Sequence, residues 1–251
     1  MHQIPRRRSV WLPLLLLPLV ALSLQSCASG GGGGLRLLGL GDPGGDPWRL
    51  ASESFPTQRL YRVEYEGPER DAKFKLTLYL LEQQQYRMLA ADSLGRRLWS
   101  LDVDASGQAL WLDHRQKEFC RLGAAEHLAF VPLAKLPLLS LPRLLLGRLP
   151  TDPEAGLDRQ QDWVTYLDAR GQRWSGRLDA ERKVEWWSLE DGGEKVAWWL
   201  REEGGGVFTH RPSRQQLRWR EVVRESLATP PPALEIPSRF RESICSADVD
   251  G

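Results

Sequence analysis

The chain is poor in the residues that build most catalytic and metal centres. Its 251 residues include four histidines, three cysteines and two methionines. His2, His114, His127 and His210 lie far apart, and none stands at metal-ligand spacing from another histidine or from a cysteine. There is no Gly-x-Ser-x-Gly elbow, no His-Glu-x-x-His, no Walker sequence and no Gly-x-Gly-x-x-Gly following a strand. His114 beside Asp113 comes nearest to a hydrolytic set, but no serine has the local setting of a nucleophile. The expectation is therefore no catalytic residue, no metal and no cofactor. An excess of one charge sign is also missing, with 34 Lys and Arg against 33 Asp and Glu. Three of those arginines precede residue 27, so the rest of the chain holds 31 basic and 33 acidic residues. That balance argues against nucleic acid as a partner, because phosphate backbones call for a basic excess on one face. No apolar run reaches the roughly 20 residues that span a bilayer as a helix.

The chain does have a short apolar run with a particular ending. Arg6, Arg7 and Arg8 precede a mostly apolar stretch from Trp11 to Leu24, and Leu24-Gln25-Ser26-Cys27 follows. A positive start, an apolar stretch and a small residue before a cut read as a secretory signal. The cysteine just past the cut resembles a lipobox, in which the thiol is acylated before cleavage. Residues 1–26 are the expected signal peptide and Cys27 the lipidation site. Two or three acyl chains on one cysteine would anchor the chain lastingly, whereas a single chain binds only marginally. Ala28, a residue other than aspartate behind that cysteine, resembles the sorting pattern of Gram-negative outer-membrane lipoproteins. The expected location is the periplasmic face of the outer membrane. Residues 27–54 are the lipidated cysteine and a glycine-rich linker, and the roughly 20 residues over 28–47 would let a domain float about 25 Å from the bilayer. A single domain over 55–245 and a tail over 246–251 complete the expected organisation. With Cys27 acylated, Cys120 and Cys245 are left as either a disulfide tying the tail to the middle of the domain or two buried thiols.

From residue 58 the apolar residues alternate with polar ones. Tyr61, Val63 and Tyr65 are followed by Phe74, Leu76, Leu78 and Leu80, then Tyr86, Met88 and Ala90, then Trp99, Leu101 and Val103. Turns such as Asp92-Ser93-Leu94-Gly95, Asp104-Ala105-Ser106-Gly107 and Asp168-Ala169-Arg170-Gly171 separate them. Period-two alternation with such turns signals an antiparallel meander, and the pattern resumes from Trp163 to Val223. Between the halves, residues 127–150 are leucine-rich, with prolines at 132, 137, 142 and 150. Proline forbids one long helix there. Short helices around Ala124–Phe130, Leu133–Leu136 and Pro142–Leu146 are expected to pack across the sheet. The expected fold is mainly β: an open, strongly curved antiparallel half-barrel of about eleven strands with a helical lid, enclosing an apolar cavity. Phe74, Leu76, Leu78, Trp99, Leu133, Leu136, Leu144, Leu145, Trp186 and Trp198 are the candidates to line it or cover it. Nine of the eleven tryptophans fall between Trp99 and Trp219. Adjacent strand residues point to opposite faces, so one member of each pair, Trp186-Trp187 and Trp198-Trp199, turns inward. The inward indoles are either core or the wall of an acyl pocket.

The order lipobox, linker, meander, Ser93-Leu94-Gly95-Arg96 turn, leucine-proline middle (Pro132-Leu133, Leu136, and Leu144-Leu145-Leu146-Gly147-Arg148-Leu149-Pro150) and second meander resembles the LolA/LolB family of lipoprotein carriers and receptors, over about residues 55–241. The resemblance implies a non-enzymatic monomer that binds acyl chains in a hydrophobic cavity, accepts lipoproteins from a periplasmic LolA-like carrier and inserts them into the outer membrane. It also implies a membrane-insertion role for Leu94, whose alternative is a turn residue folded onto the core. The long glycine linker, the two further cysteines and the tryptophan load depart from the family pattern. An envelope scaffold or sensor with a filled cavity is the competing reading.

Overall fold

In the computed structural model the described residues are 54–68, 70–82, 84–123, 136, 138 and 140–244. Cys27, the linker, Leu133 and Cys245 lie outside them, as do the helices expected near Ala124–Phe130 and over most of Leu133–Leu136. Alternating sequence gives alternating burial, as a half-buried sheet requires. Six strands follow one another from the start: β1 (Thr57–Glu66), β2 (Ala72–Leu80), β3 (Tyr86–Ala91), β4 (Arg97–Val103), β5 (Gln108–Asp113) and β6 (Glu118–Gly123). A short helix, α1 (Ser140–Leu145), precedes seven more: β7 (Ala155–Gln160), β8 (Trp163–Leu167), β9 (Arg173–Leu178), β10 (Val184–Asp191), β11 (Glu194–Glu202), β12 (Gly205–His210) and β13 (Gln215–Ser226). A two-residue strand, β14 (Arg241–Glu242), ends the series. All join one open, curved sheet in the order β14-β6-β5-β4-β3-β2-β1-β13-β12-β11-β10-β9-β8-β7. The two meanders thus meet along β1 and β13, the first and last long strands. Every pairing is antiparallel except β14 on β6.

Four hairpins share one turn chemistry. Asp92, Asp104 and Asp168 each use a side-chain oxygen to accept backbone N–H groups two and four residues on. Asp179 accepts the Lys183 N–H in the same way. The fourth residue of each turn has positive φ: Gly95, Gly107, Gly171 and, against the usual preference, Arg182. A type I turn closed by one left-handed residue suits this loop length.

The strand count exceeds the expected eleven because of the two edges. Strand β7, Ala-Gly-Leu-Asp-Arg-Gln, is exposed throughout and has no alternation to betray it. It exists through its pairing with β8 across the turn at Gln161-Asp162. The β14 strand is two residues against β6, with the Arg241 N–H on Lys117 O and the Ser243 N–H on Phe119 O. The expected helix at Pro142–Leu146 runs from Ser140 instead. Proline is tolerated in a first turn, where its missing N–H has no helical partner to lose. Gly147, with φ +65, ends the helix; the Arg148 N–H bonds Arg143 O and the Gly147 N–H bonds Leu144 O, the paired closure of a Schellman motif.

Candidate functional site

Register assigns the inner face strand by strand. In the first meander it carries Tyr61 and Val63, Phe74, Leu76, Leu78 and Leu80, Tyr86, Met88 and Ala90, Trp99, Leu101 and Val103, then Ala109 and Trp111. Most of these are aliphatic and almost fully buried; Trp99 and Phe74 are half-buried. Trp99 of β4 and Trp111 of β5 stack with centroids 4.9 Å apart. Leu136, Leu138, Leu141, Leu144 and Leu145 share the same core. The Tyr86 phenol donates to Leu138 O at 2.5 Å, fastening this roof to the sheet. Burial pushes the Tyr86 phenol well above its ordinary range, so it stays a neutral donor.

The second meander is filled differently. Its inner face bears Tyr166, Trp174, Trp187, Trp199, Phe208 and Trp219, all but inaccessible to solvent. Trp174 sits 5.1 Å from Trp187, and Trp187 lies 5.8 Å from Phe208. Two indole N–H groups are satisfied: Trp174 donates to Asp168 Oδ2 at 2.9 Å and Trp219 to Leu145 O at 3.2 Å. The Nε1 groups of Trp187 and Trp199 are buried without a partner among the described residues. Buried indole N–H groups usually find an acceptor, so this half carries two open donors.

Several sequence expectations need correcting here. Trp186 and Trp198 are on the outer face; the inward members of the two pairs are Trp187 and Trp199. Sequence alternation settles that one member turns inward, but the strand register chooses which. Trp186 meets Trp163 edge-on at 5.2 Å on that outer face, with Lys195 above its ring. Phe74, Leu76, Leu78, Trp99, Leu136, Leu144 and Leu145 do share the inner face or its cover. Leu133 and Cys245 lie outside the described residues. Cys120, buried on β6, is disulfide-bonded.

Leu94 is 77% exposed and so is not folded onto the core. Its turn is held from within: Asp92 accepts the Leu94 and Arg96 N–H groups at 2.9 Å each and the Arg96 Nε at 2.7 Å. Those hydrogen bonds, led by the Arg96 side chain, keep the Asp92 carboxyl below its ordinary value.

Sequence reasoning missed a cavity of about 620 Å³ at the opposite strand ends. Tyr61 and Trp199 of the inner face, and Leu145, Leu146 and Gly147 at the close of α1, are among the residues that bound it. Arg59, Arg148, Lys183, Arg201 and Arg224 also line it, against two acids, Glu202 and Glu221. Arg59 is nearly buried and pairs with Glu221 at 2.5 Å, and Arg201 pairs with Asp179 at 2.5 Å. Burial would raise the Asp179 carboxyl, but the Arg201 hydrogen bond and the Lys183 N–H outweigh it and leave it lowered. The only signal in the sequence was an inward-phased arginine at 59 and another at 201, each at a position where the alternation calls for an apolar residue. Among the described residues no group of three or more His, Cys, Asp or Glu stands ready for a metal.

No family model matches the chain, and no curated protein matches its sequence. Among solved structures, a LolA superfamily protein from Nitrosomonas europaea is similar at 8% identity and TM-score 0.47, over 70% of this chain and 87% of the other. A DUF1329 family protein from Desulfovibrio piger is similar at 6% identity and TM-score 0.47, over 70% and 88%.

Proposed function

We propose that the protein is a non-enzymatic, lipid-anchored envelope protein that holds an acyl chain between the aliphatic half of its sheet and the leucine roof, and passes it to the outer membrane. The observation that carries this reading is the inner face of β1 to β6. It is paved mainly with Leu, Met, Ala and Val and roofed by leucines fastened through two hydrogen bonds, Tyr86 to Leu138 O and Trp219 to Leu145 O. Burial of an acyl chain is non-directional and contributes roughly 25 cal/mol per Å². A chain entering there would replace the roof's leucines with equivalent apolar surface. Release into a bilayer would follow because lipid tails offer the same environment. Cys27 is the anchor, Leu94 the residue presented to the membrane, and a LolA-like carrier the donor of lipoprotein cargo. The chain works as a monomer on the periplasmic side.

The test is displacement of a fluorescent fatty acid from the full-length protein, together with transfer of a lipoprotein to vesicles. We expect saturable one-to-one binding by both the wild type and Leu94→Glu, with transfer lost only in the variant. Folding stability should stay within about 0.5 kcal/mol, as for an exposed side chain. Equal transfer by both proteins would remove Leu94 from the mechanism. A second reading, a scaffold whose hollow is permanently filled, draws on the close-packed indoles of the other half. It predicts a folded protein with no saturable fatty-acid binding.

A further inference from the structure

The polar cavity at the far end from Leu94 is not explained by acyl-chain binding. Its lining combines five cationic side chains and two anionic ones with an aromatic and leucine wall. Two of the cations are paired, Arg59 with Glu221 and Arg201 with Asp179, while Glu202 is engaged by Arg218 from outside the lining, so the cavity keeps an excess of positive charge. The cations arrive from separate elements, namely β1, the segment after α1, the β9–β10 turn, β11 and β13. Such convergence of separate strands on one hollow holds positive charge together against its own repulsion, and the arginine fork is the geometry that grips phosphate oxygens. The wall is of the other kind. Trp199, buried and with an unpartnered Nε1, adjoins Leu145 and Leu146 there. The cavity therefore offers charge for a head and apolar surface for the first carbons behind it.

We propose that this cavity binds the phosphate-bearing head of an anionic amphiphile, with the adjoining carbons against Leu146, which is half-buried beside Trp199. The site meets the aliphatic face of β1 to β6 and its roof only at Tyr61 and Leu145, and its charged lining takes no part in acyl-chain burial, so the two readings are tested apart. It opens at the strand ends opposite the Leu94 turn, so an amphiphile would be met from the periplasmic side while Leu94 faces the membrane.

The experiment titrates the full-length protein, held in phosphatidylcholine nanodiscs, by calorimetry with three probes: hexyl phosphate, hexyl β-glucoside and inorganic phosphate. Hexyl phosphate should bind at least ten-fold more tightly than either of the others, and its affinity should fall as salt is raised. Lys183 and Arg224 are exposed, so Lys183→Gln with Arg224→Gln should leave the urea midpoint in place and weaken hexyl phosphate at least ten-fold. Arg177→Gln on the outer face should leave affinity unchanged. Equal binding of hexyl phosphate and hexyl glucoside, or full affinity in the double variant, overturns the proposal. Inorganic phosphate binding as tightly as hexyl phosphate overturns it too, since the ligand would be a free anion. Hexyl phosphate binding in a protein that takes no long-chain fatty acid would retire the acyl reading and leave this one standing.

Discussion

The two meanders are built on the same plan and filled with different proportions of aliphatic and aromatic side chains. In β1 to β6 the inner face is mainly aliphatic, under a leucine roof. In β8 to β13 six aromatics dominate it among a few aliphatics such as Val164, Leu189 and Leu217, and four of the six are indoles with no more than 1% of their surface exposed. Aliphatic side chains make no directional demand, so one apolar partner can stand in for another at modest cost. An indole carries an N–H that needs an acceptor and a flat ring that fits one neighbour arrangement. The difference teaches that a half-barrel need not be one cavity. Its aromatic side is a fixed buttress and its aliphatic side is the exchangeable surface, with Tyr61 and Val63 on β1 at the seam.

The sharpest way to break this comparison is to truncate both sides. Trp187→Ala should cost about 3–5 kcal/mol, because a large cavity opens among rings that cannot collapse. Fatty-acid affinity in whatever fraction stays folded should not change. Leu101→Trp on the aliphatic side should cost less, about 1–3 kcal/mol of overpacking, and should weaken fatty-acid binding at least ten-fold. Urea unfolding and probe displacement on each variant decide it. If Trp187→Ala raises ligand capacity, the buttress is itself a cavity.

Next in size is the close approach of strands in the aromatic half. A Cβ on Gly205 would lie 1.8 Å from the Trp219 carbonyl oxygen, and one on Gly206 would meet the Trp199 indole at 2.2 Å. The first clash is with backbone and cannot be relieved by a rotamer. Gly205→Ala should therefore destabilise by about 1–3 kcal/mol in thermal or urea unfolding. Gly95→Ala, with open space around its Cβ and only a positive φ to resist it, should cost about 1 kcal/mol. Similar losses at the two positions would show that the aromatic half tolerates more movement than its packing implies.

How much of this could be read from the sequence follows from the same physics. The meander, its Asp-headed turns and the break at the leucine-proline segment were legible because each is a local pattern. The choice of Trp187 and Trp199 over Trp186 and Trp198 was not, since alternation fixes the period and the pairing with neighbouring strands fixes the phase. Strand β7 was invisible because both of its faces are wet. The cationic cavity was hidden because its lining comes from residues 59, 148, 183, 201 and 224, which no window along the chain brings together. Leu94 was legible as a turn residue, but its exposure depends on how Asp92 gathers the turn around itself.

A smaller effect concerns the roof of the aliphatic half. Tyr86→Phe removes the donor to Leu138 O and leaves that carbonyl, beneath the roof, without it. The loss should be about 1 kcal/mol, with faster amide exchange around Leu141 and faster fatty-acid entry. No comparable change should reach β10 or β11. An unchanged on-rate would show that packing and the Trp219 bond to Leu145 O hold the roof without Tyr86.

The smallest effect compares the two free edges of the sheet. Among the described residues no strand covers the β7 edge, whereas β6 is covered by β14 and by Phe240, whose ring meets His114 edge-on at 5.4 Å. His114 Nε2 lies 2.8 Å from Ser100 Oγ. Burial lowers the imidazole's pKa first, and Arg97 adds to that; Asp113 opposes it and Arg239 reinforces it. A group whose folded pKa is depressed gives its full contribution above the unfolded value of about 6.5 and loses it as pH falls through the folded value. Acidification should therefore loosen the cover on β6, where a charged imidazole would be held against Phe240 and near two arginines. Hydrogen exchange of the Arg241 and Ser243 amides, corrected for intrinsic pH dependence, should quicken as pH falls below about 6.5, while exchange in β7 should follow the intrinsic rate throughout. His114→Gln should abolish the pH step at the β6 edge and leave β7 as it was. A step that survives in the variant would assign the pH sensitivity to some other group and leave the two edges distinguished by pairing alone.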